Sequence, residues 1–565
     1  MDNPRIYLWI GLALLAWMNL VQWNRDYGVA PTPAPAVTAP VSSGSSATGG
    51  TAAGQLPTLP TESAATPAVA AGAAPAAPTM PAASVADQPS VRIVTDVLDV
   101  EVSLQGGTIV RADLLQYPQN KTKDSPSVRL LTTADGAFQV ARSGLRAAGG
   151  RAEPTHLAMF TAAAQEYRLA PGAGELRVPL TWTDGQGLVV TKTYVLKRGS
   201  YAIDLTYDVT NGTAADWKAA SYVQFERHVY AQKRSMFDVE SYAYRGPAVF
   251  NGTKPLKLDV SDEEDSKFSQ SIAGGWMAEM QHHFVTAAVP PAAEQFDYTL
   301  GLEGDHSLLG FRGPLKSVPA GTTAQFAEKL FVGPKLQDQL KAVAPKLERT
   351  VDYGKLTILA EPLFWVLQKV HRFVGNWGWS IIIVTILLKL LFYKLTETSG
   401  RSMAKMRTIA PRIKTIQERY KDDREQLAKQ TMELYKREKI NPVAGCLPIV
   451  VQIPVFLAFY WVLLESVEMR QAPFMLWIQD LSAKDPYFIL PAIMGVAMFG
   501  QFKLNPAPPD PMQAKVFAFM PLIMTVMMAW FPSGLVLYWI TNTALSIAQQ
   551  WNINRVVERE AKKAH

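Results

Sequence analysis

The stretch WGWSIIIVTILLKLLFYKL, from Trp377 to Leu395, limits what this chain can fold into more than any other. It is apolar and long enough to cross a bilayer as a helix. Trp377 and Trp379 stand at one end, Tyr393 and Lys394 at the other, in the manner of interfacial anchors. Inside it sits Lys389. A lysine at mid-membrane costs roughly 2.5–3.5 kcal/mol on insertion scales, so a helix that keeps one turns it toward water, a partner or a polar cavity. Lys389 also lies about 7.5 Å along the axis from Lys394, near enough for its stem to snorkel to the edge. From the sequence, both readings stay open.

At 565 residues the chain is too long for one core. Ile6 to Trp23 is apolar and follows Arg5, and NLVQWN at 19–24 has no small residues for cleavage. Residues 1–27 therefore read as an uncleaved anchor with a cytoplasmic N-terminus. Residues 28–90 are Ala, Pro, Thr, Ser, Gly and Val almost throughout, with Glu62 and Asp87 the only charges, the composition of a flexible tether. Short alternating runs follow, such as VLDVEVSL at 97–104, GLVVTKTYVL at 187–196 and YAIDLTYDV at 201–209. Glycine and asparagine turns separate them, and residues 91–350 read as an antiparallel β-sandwich. A single cysteine, Cys446, excludes an intramolecular disulfide. The carboxylates of this domain are scattered and single out no catalytic pair. His282 and His283, as strand neighbours, point to opposite faces and read as structural, with metal binding a remote second choice.

Residues 351–376 predict an amphipathic interfacial helix. Leu356, Leu359, Leu363, Leu367, Val370 and Val374 fall on one stripe, and Pro362 bends or restarts it. Residues 396–445 form a helical hairpin with Met406, Ile409, Ile413, Ile416 and Tyr420 on a coiled-coil seam, met by Leu427 and Leu434. This segment holds twelve Lys/Arg, against two (Arg470, Lys484) at 467–486, which places the hairpin in the cytoplasm. Its excess charge suits anionic lipid or ribosomal RNA, or simply solubility. Four more apolar segments follow: Leu447 to Leu464, Tyr487 to Phe502, Val516 to Phe531 and Leu535 to Ala548. Six spans put both termini in the cytoplasm, the last as a basic tail at 552–565. The final span carries Thr541, Asn542, Thr543, Ser546, Gln549 and Gln550, and Thr385 lies one turn before Lys389. Together they suggest a shared wet cavity.

No Walker-type phosphate loop and no HExxH is present, so nothing points to nucleotide hydrolysis or a metalloprotease. The spans hold no mid-membrane carboxylate for a proton relay and no two-fold repeat of a secondary transporter. A transporter or channel, and a membrane-tethered carbohydrate-active enzyme, remain the competing classes.

The stretches FVGNWGWSIII (373–383), SMAKMR (402–407), NPVAGCLPIVVQIPVF (441–456), VEMRQAPFMLWIQDLSAKDPYFILP (467–491) and WFPSGLVLYW (530–539) closely resemble the YidC/Oxa/Alb membrane-insertase family. They cover nearly all of 351–551. GGWMAEMQHHF at 274–284 matches more loosely, and the anchor and linker fit the Gram-negative form. The resemblance implies a polytopic α-helical membrane protein of six spans with a five-helix insertase core at 377–551, and a periplasmic β-supersandwich of mutarotase-like fold. It implies a hydrophilic groove open to cytoplasm and lipid. Lys389 stands there in place of the usual arginine, keeping charge but losing the bidentate fork. Thr385, Gln452, Tyr538, Trp539 and Asn542 would line the groove. Met403, Met406, Arg407 and Arg412 of the hairpin would meet substrate or ribosome. The expected function is insertion and folding of inner-membrane proteins, alone or with the Sec translocon, by a chaperone that is no enzyme. The expected partners are nascent membrane proteins, the translocon and its accessory subunits, membrane lipids and the ribosome. No cofactor, metal or DNA is expected.

Overall fold

Alternation of apolar and polar residues builds many strands of the first half, while Gly246–Phe250, Trp276–Met280 and Phe284–Val289 are buried on both faces. The computed structural model describes residues 89–229, 243–420, 423–438, 447–504 and 511–563. The anchor, nearly all of the linker, Cys446 and the Lys421-Asp422 part of the hairpin turn lie outside these residues. Leu188–Lys197 and Ala202–Asn211 pair antiparallel, with Leu196 opposite Ile203 and Leu188 opposite Asn211. Every second residue, Val190, Tyr194, Ile203, Leu205, Tyr207 and Val209 among them, is buried. Repetition gives an 11-stranded and a 9-stranded sheet. Their inner faces meet in one core, as the sandwich reading requires. The pairing is antiparallel except where Ser90–Val94 runs parallel to Glu166–Arg168.

A buried lysine crosses this core. The Lys192 ammonium, on one sheet, donates to the carbonyls of Gly106 (2.7 Å), Gly107 (2.9 Å) and Ser143 (3.2 Å) on the side of the other. Burial pulls it down to about 7. Gly106 takes φ +70°, and a side chain there would run into the His156 backbone, so this turn requires glycine.

The second half is helical: α1 (Gln337–Val343), α2 (Thr357–Val374), α3 (Trp377–Leu391), α4 (Tyr393–Arg419), α5 (Arg424–Arg437), α6 (Leu447–Glu465), α7 (Ile489–Leu504), α8 (Pro511–Met528) and α9 (Ser533–Lys563). The expected helix 377–395 is not continuous. It breaks at Phe392, whose N–H turns back to the carbonyls of Leu388 and Leu390. Among the described residues no single helix is both long and apolar enough to cross a membrane. Trp377–Leu391 and Tyr393–Met406 qualify as a pair, bent by 69°. α2 runs through Pro362 without restarting. Its buried residues are Ala360, Phe364 and Leu367, while Leu359 and Val374 of the expected stripe are partly exposed. Ile358, Trp365 and Phe373 face outward, so α2 is apolar on two sides, one against the core and one toward the surroundings. α9 extends to Lys563, so the basic tail continues the last helix instead of forming a separate segment. Exposed Leu390, Leu391, Val450, Val496, Phe519 and Leu522 on α3, α6, α7 and α8 give the bundle an apolar exterior suited to lipid.

Candidate functional site

The corner between α2 and α3 shows why FVGNWGW is written as it is. Gly375 closes α2 at φ +70°, its N–H reaching the His371 carbonyl at 2.7 Å. Asn376 then caps α3 by accepting from the Trp379 N–H, while its amide donates to the Pro473 and Phe474 carbonyls. The His371 ring stacks on Trp377 at 3.8 Å. A side chain on Gly378 would overlap the Phe474 ring, so α3 must be bare there.

The loop from 466 to 488 fixes the same end of the bundle. Asp480 accepts from the N–H groups of Gln471 and Ser482, and Asp485 from Trp477, Tyr487 and Leu490. Ser533 opens α9 by donating to the Ala483 carbonyl, and the Gly534 N–H donates to Leu481. This loop also holds the β domain, Arg470 and Gln471 donating to the Pro118 carbonyl at 2.9 and 3.0 Å, and the end of α6 adds a bond from His282 to the Leu464 carbonyl at 3.0 Å. α3 and α9 therefore run in the same direction, from the β-domain end toward the hairpin.

Near the hairpin end, the Lys389 ammonium donates to the Ser546 hydroxyl at 2.8 Å, across from α3 to α9. Ser546 in turn donates to the Asn542 carbonyl one turn earlier. One turn further on, Gln549 donates to Thr396 at the start of α4. Lys389 thus points at a neighbouring helix, not along its own axis. The other expected groove residues divide. Thr385 is buried and donates to the Ile381 carbonyl of its own helix. Gln452 is half-buried on α6. Tyr538 is buried with its ring stacked on Phe459 at 4.6 Å, and Trp539 meets Phe456 edge-on at 4.7 Å. That aromatic seam joins α6 to α9, while Lys389 meets Ser546 in a polar track that Asn542 enters through its backbone carbonyl. Ser546 was legible only as one polar residue of the last span; its contact with Lys389 comes from the packing of α3 on α9.

In the hairpin, Ile409, Ile413 and Leu434 form the seam, with Met406, Ile416 and Tyr435 against them. Met406 is therefore partly used internally, and Met403 is half-buried. Arg412 pairs with Glu438 at 2.8 Å; the Arg407 side chain lies outside the described residues. Ala404 on α4 packs on Ile553 and Val557, tying the hairpin to the last helix.

One sequence expectation fails where the β domain meets the bundle. His282 and His283 lie in a turn, not on a strand, and their rings stack at 3.8 Å instead of facing apart. A turn releases the alternation that a strand imposes. Both are buried beside Lys335. Burial, then the Lys335 charge, lowers His282 to about 3, and burial with its neighbour's charge lowers His283 well below the usual imidazole range. Between about pH 6.5 and 3 the unfolded chain takes up protons that these folded imidazoles refuse, so stability falls as pH falls. The expected result is a Tm that drops steadily from pH 7 to pH 4, with a shallower slope in His282→Gln. An unchanged slope in that variant would contradict this origin.

The description "60Kd inner membrane protein" matches residues 369–561, and "YidC periplasmic domain" matches residues 90–366. The membrane protein insertase YidC of Thioalkalivibrio sulfidiphilus is 46% identical over 577 residues, spanning 100% of both chains. That of Nitrosococcus oceani is 45% identical over 563 residues, 99% of this chain and 100% of its own. A solved structure of an active YidC insertase aligns with 82% of this chain and 92% of its own, at 16% identity and a TM-score of 0.37.

Proposed function

The chain belongs to the YidC family of membrane protein insertases, and from that premise we propose how its residues carry out insertion. Family membership makes it an inner-membrane insertase with a periplasmic β domain, whose activity is insertion and not enzymatic catalysis. A nascent helix with a short polar tail arrives from the cytoplasm and is received by the α4–α5 hairpin. Its tail is drawn to Lys389 and the Asn542–Ser546 track, and so faces less than the full ~30 Å of hydrocarbon. The apolar part slides along the exterior of the spans. Its transfer to lipid, at about −0.3 to −0.6 kcal/mol per Leu, Ile, Phe or Val, drives release.

The topology proposed is six spans, residues 6–23 with α3, α6, α7, α8 and α9, and both termini cytoplasmic. The contrast in Lys/Arg between 396–445 and 467–486 supports it, and so does the attachment of the Lys/Arg-poor loop to the β domain. Partners are nascent membrane proteins, membrane lipids, the Sec translocon with its accessory subunits, and the ribosome at the hairpin or the basic end of α9.

The observation that carries this reading is the Lys389–Ser546 hydrogen bond, a charge turned toward the space between two helices. The test is purified full-length protein in liposomes with a single-span substrate bearing a short acidic tail. Protease protection of the tail is expected without nucleotide, and is expected to survive deletion of residues 91–330. Solute or ion flux without insertion would replace this reading with a transporter; loss of all activity on the deletion would place the function in the β domain.

A further inference from the structure

At the end of two inner strands of the 11-stranded sheet, two imidazoles and a carboxylate converge. His228 ends the strand Trp217–His228, and His306 begins the strand His306–Arg312. The antiparallel register sets them directly opposite one another. Asp305 reaches the same place from the two-residue turn Gly304–Asp305, where Gly304 holds φ +60°. Asp305 is 3.1 Å from the His228 Nδ1 and 3.7 Å from the His306 Nε2. One ligand atom from each of the three lies within 4.8 Å of the others.

The His306 ring is held for this purpose on its far side. Its Nδ1–H donates to Glu226 at 2.7 Å, and Glu226 is itself paired with Arg142. Phe138 stacks on the ring at 4.9 Å and 17°. A neutral imidazole with its Nδ1 proton on a carboxylate presents the Nε2 lone pair on the other side. Here the Nε2 side of the ring faces the Asp305 carboxylate, so a cation bound between them would meet ligand atoms from both. A carboxylate bonded to the distal nitrogen of a ligating histidine is the usual support of a transition-metal site.

We propose that His228, Asp305 and His306 bind one divalent transition metal of the zinc class, with Glu226 positioning His306 and water completing the shell. Two nitrogens and one carboxylate suit zinc, copper or nickel; calcium and magnesium prefer all-oxygen shells. Tetrahedral zinc with bonds of ~2.0–2.1 Å holds its ligand atoms roughly 3.3 Å apart. The spacing seen reaches that by small side-chain rotations of two partly exposed rings and an exposed carboxylate.

The experiment uses full-length protein in detergent or nanodiscs, purified without a polyhistidine tag and stripped with chelator. Zinc chloride titration is expected to saturate at one equivalent per chain. His228→Gln and His306→Gln are each expected to weaken binding by at least ~10-fold, and Glu226→Gln by ~10-fold or more. Cobalt(II) added to the unmutated protein should give the visible absorption of a four-coordinate site, which zinc abolishes; this readout does not depend on any variant folding. No stoichiometric zinc binding, unchanged affinity in either histidine variant, or a cobalt spectrum of the hexaaqua ion would each overturn the proposal.

Discussion

Lys389→Ala lowers insertion of a substrate with a short acidic tail by about tenfold or more, and changes insertion of a neutral-tailed substrate by about twofold or less. The size follows from the interaction removed. A hydrogen bond to a charged group contributes about 1.5–3 kcal/mol, and 1.4 kcal/mol is a factor of ten. The ammonium sits near the hairpin end of α3, and its hydrogen-bond partner among the described residues is the neutral Ser546 hydroxyl, so an incoming carboxylate meets a charge that this partner does not compensate. Expression and folding should be unimpaired, because the substitution removes a charge that was costly to keep beside apolar helices. Lys389→Arg should keep most activity, since these substrates need the charge more than the lysine shape. Ser546→Ala should have a smaller effect than Lys389→Ala. The measurement is protease protection in liposomes with matched acidic and neutral tails. Equal loss on both tails would make Lys389 a packing residue, and no loss on either would make it a snorkelling one.

How much of this was legible in the sequence depended on the range of the interaction. The strands at 98–103, 188–197 and 202–211 follow from period-two alternation, and their boundaries agree with it to within a residue or two. The hairpin seam at Ile409, Ile413, Ile416 and Leu434 follows from 3-4 spacing. What failed was set by contacts from elsewhere in the chain. Phe392 breaks the central helix although nothing in its apolar run announces a stop. Tyr538 and Trp539 were expected at the groove from the family resemblance alone, and no local pattern announces that their rings meet Phe456 and Phe459, some eighty residues earlier. His228 and His306 share no spacing motif, because the register of two strands, not the chain between them, brings them together. Lys389 is an intermediate case: its oddity was visible, and its direction was not.

The same long-range logic gives the largest expected loss of stability, at Arg227→Ala. Arg227 lies on one sheet and Glu279 on the other, and the guanidinium donates to the carboxylate at 2.9 Å in the middle of the sandwich. Glu279 is fully buried and Arg227 nearly so. Burial already raises the Glu279 carboxyl above its usual range, even against the pull of Arg227. With Arg227 gone, nothing at that bond offsets the desolvation of the acid, and breaking a buried pair from one side costs about 3–5 kcal/mol. For a domain of this size each kcal/mol shifts Tm by about 2–4 °C, so the β-domain transition should fall by roughly 6–20 °C. The variant should also acquire a pH dependence of definite sign. A carboxyl whose folded pKa is raised binds its proton more tightly folded than unfolded, so stability is retained below the unfolded value of about 4.5 and lost as pH rises toward the folded one. The deficit should therefore be smaller at pH 5 than at pH 8. Arg227→Met with Glu279→Met removes both charges and should recover most of the loss, since buried pairs are often replaced by apolar side chains at little cost. A double variant as unstable as Arg227→Ala, or a deficit equal at both pH values, would mean that the guanidinium acts through packing and not through its charge.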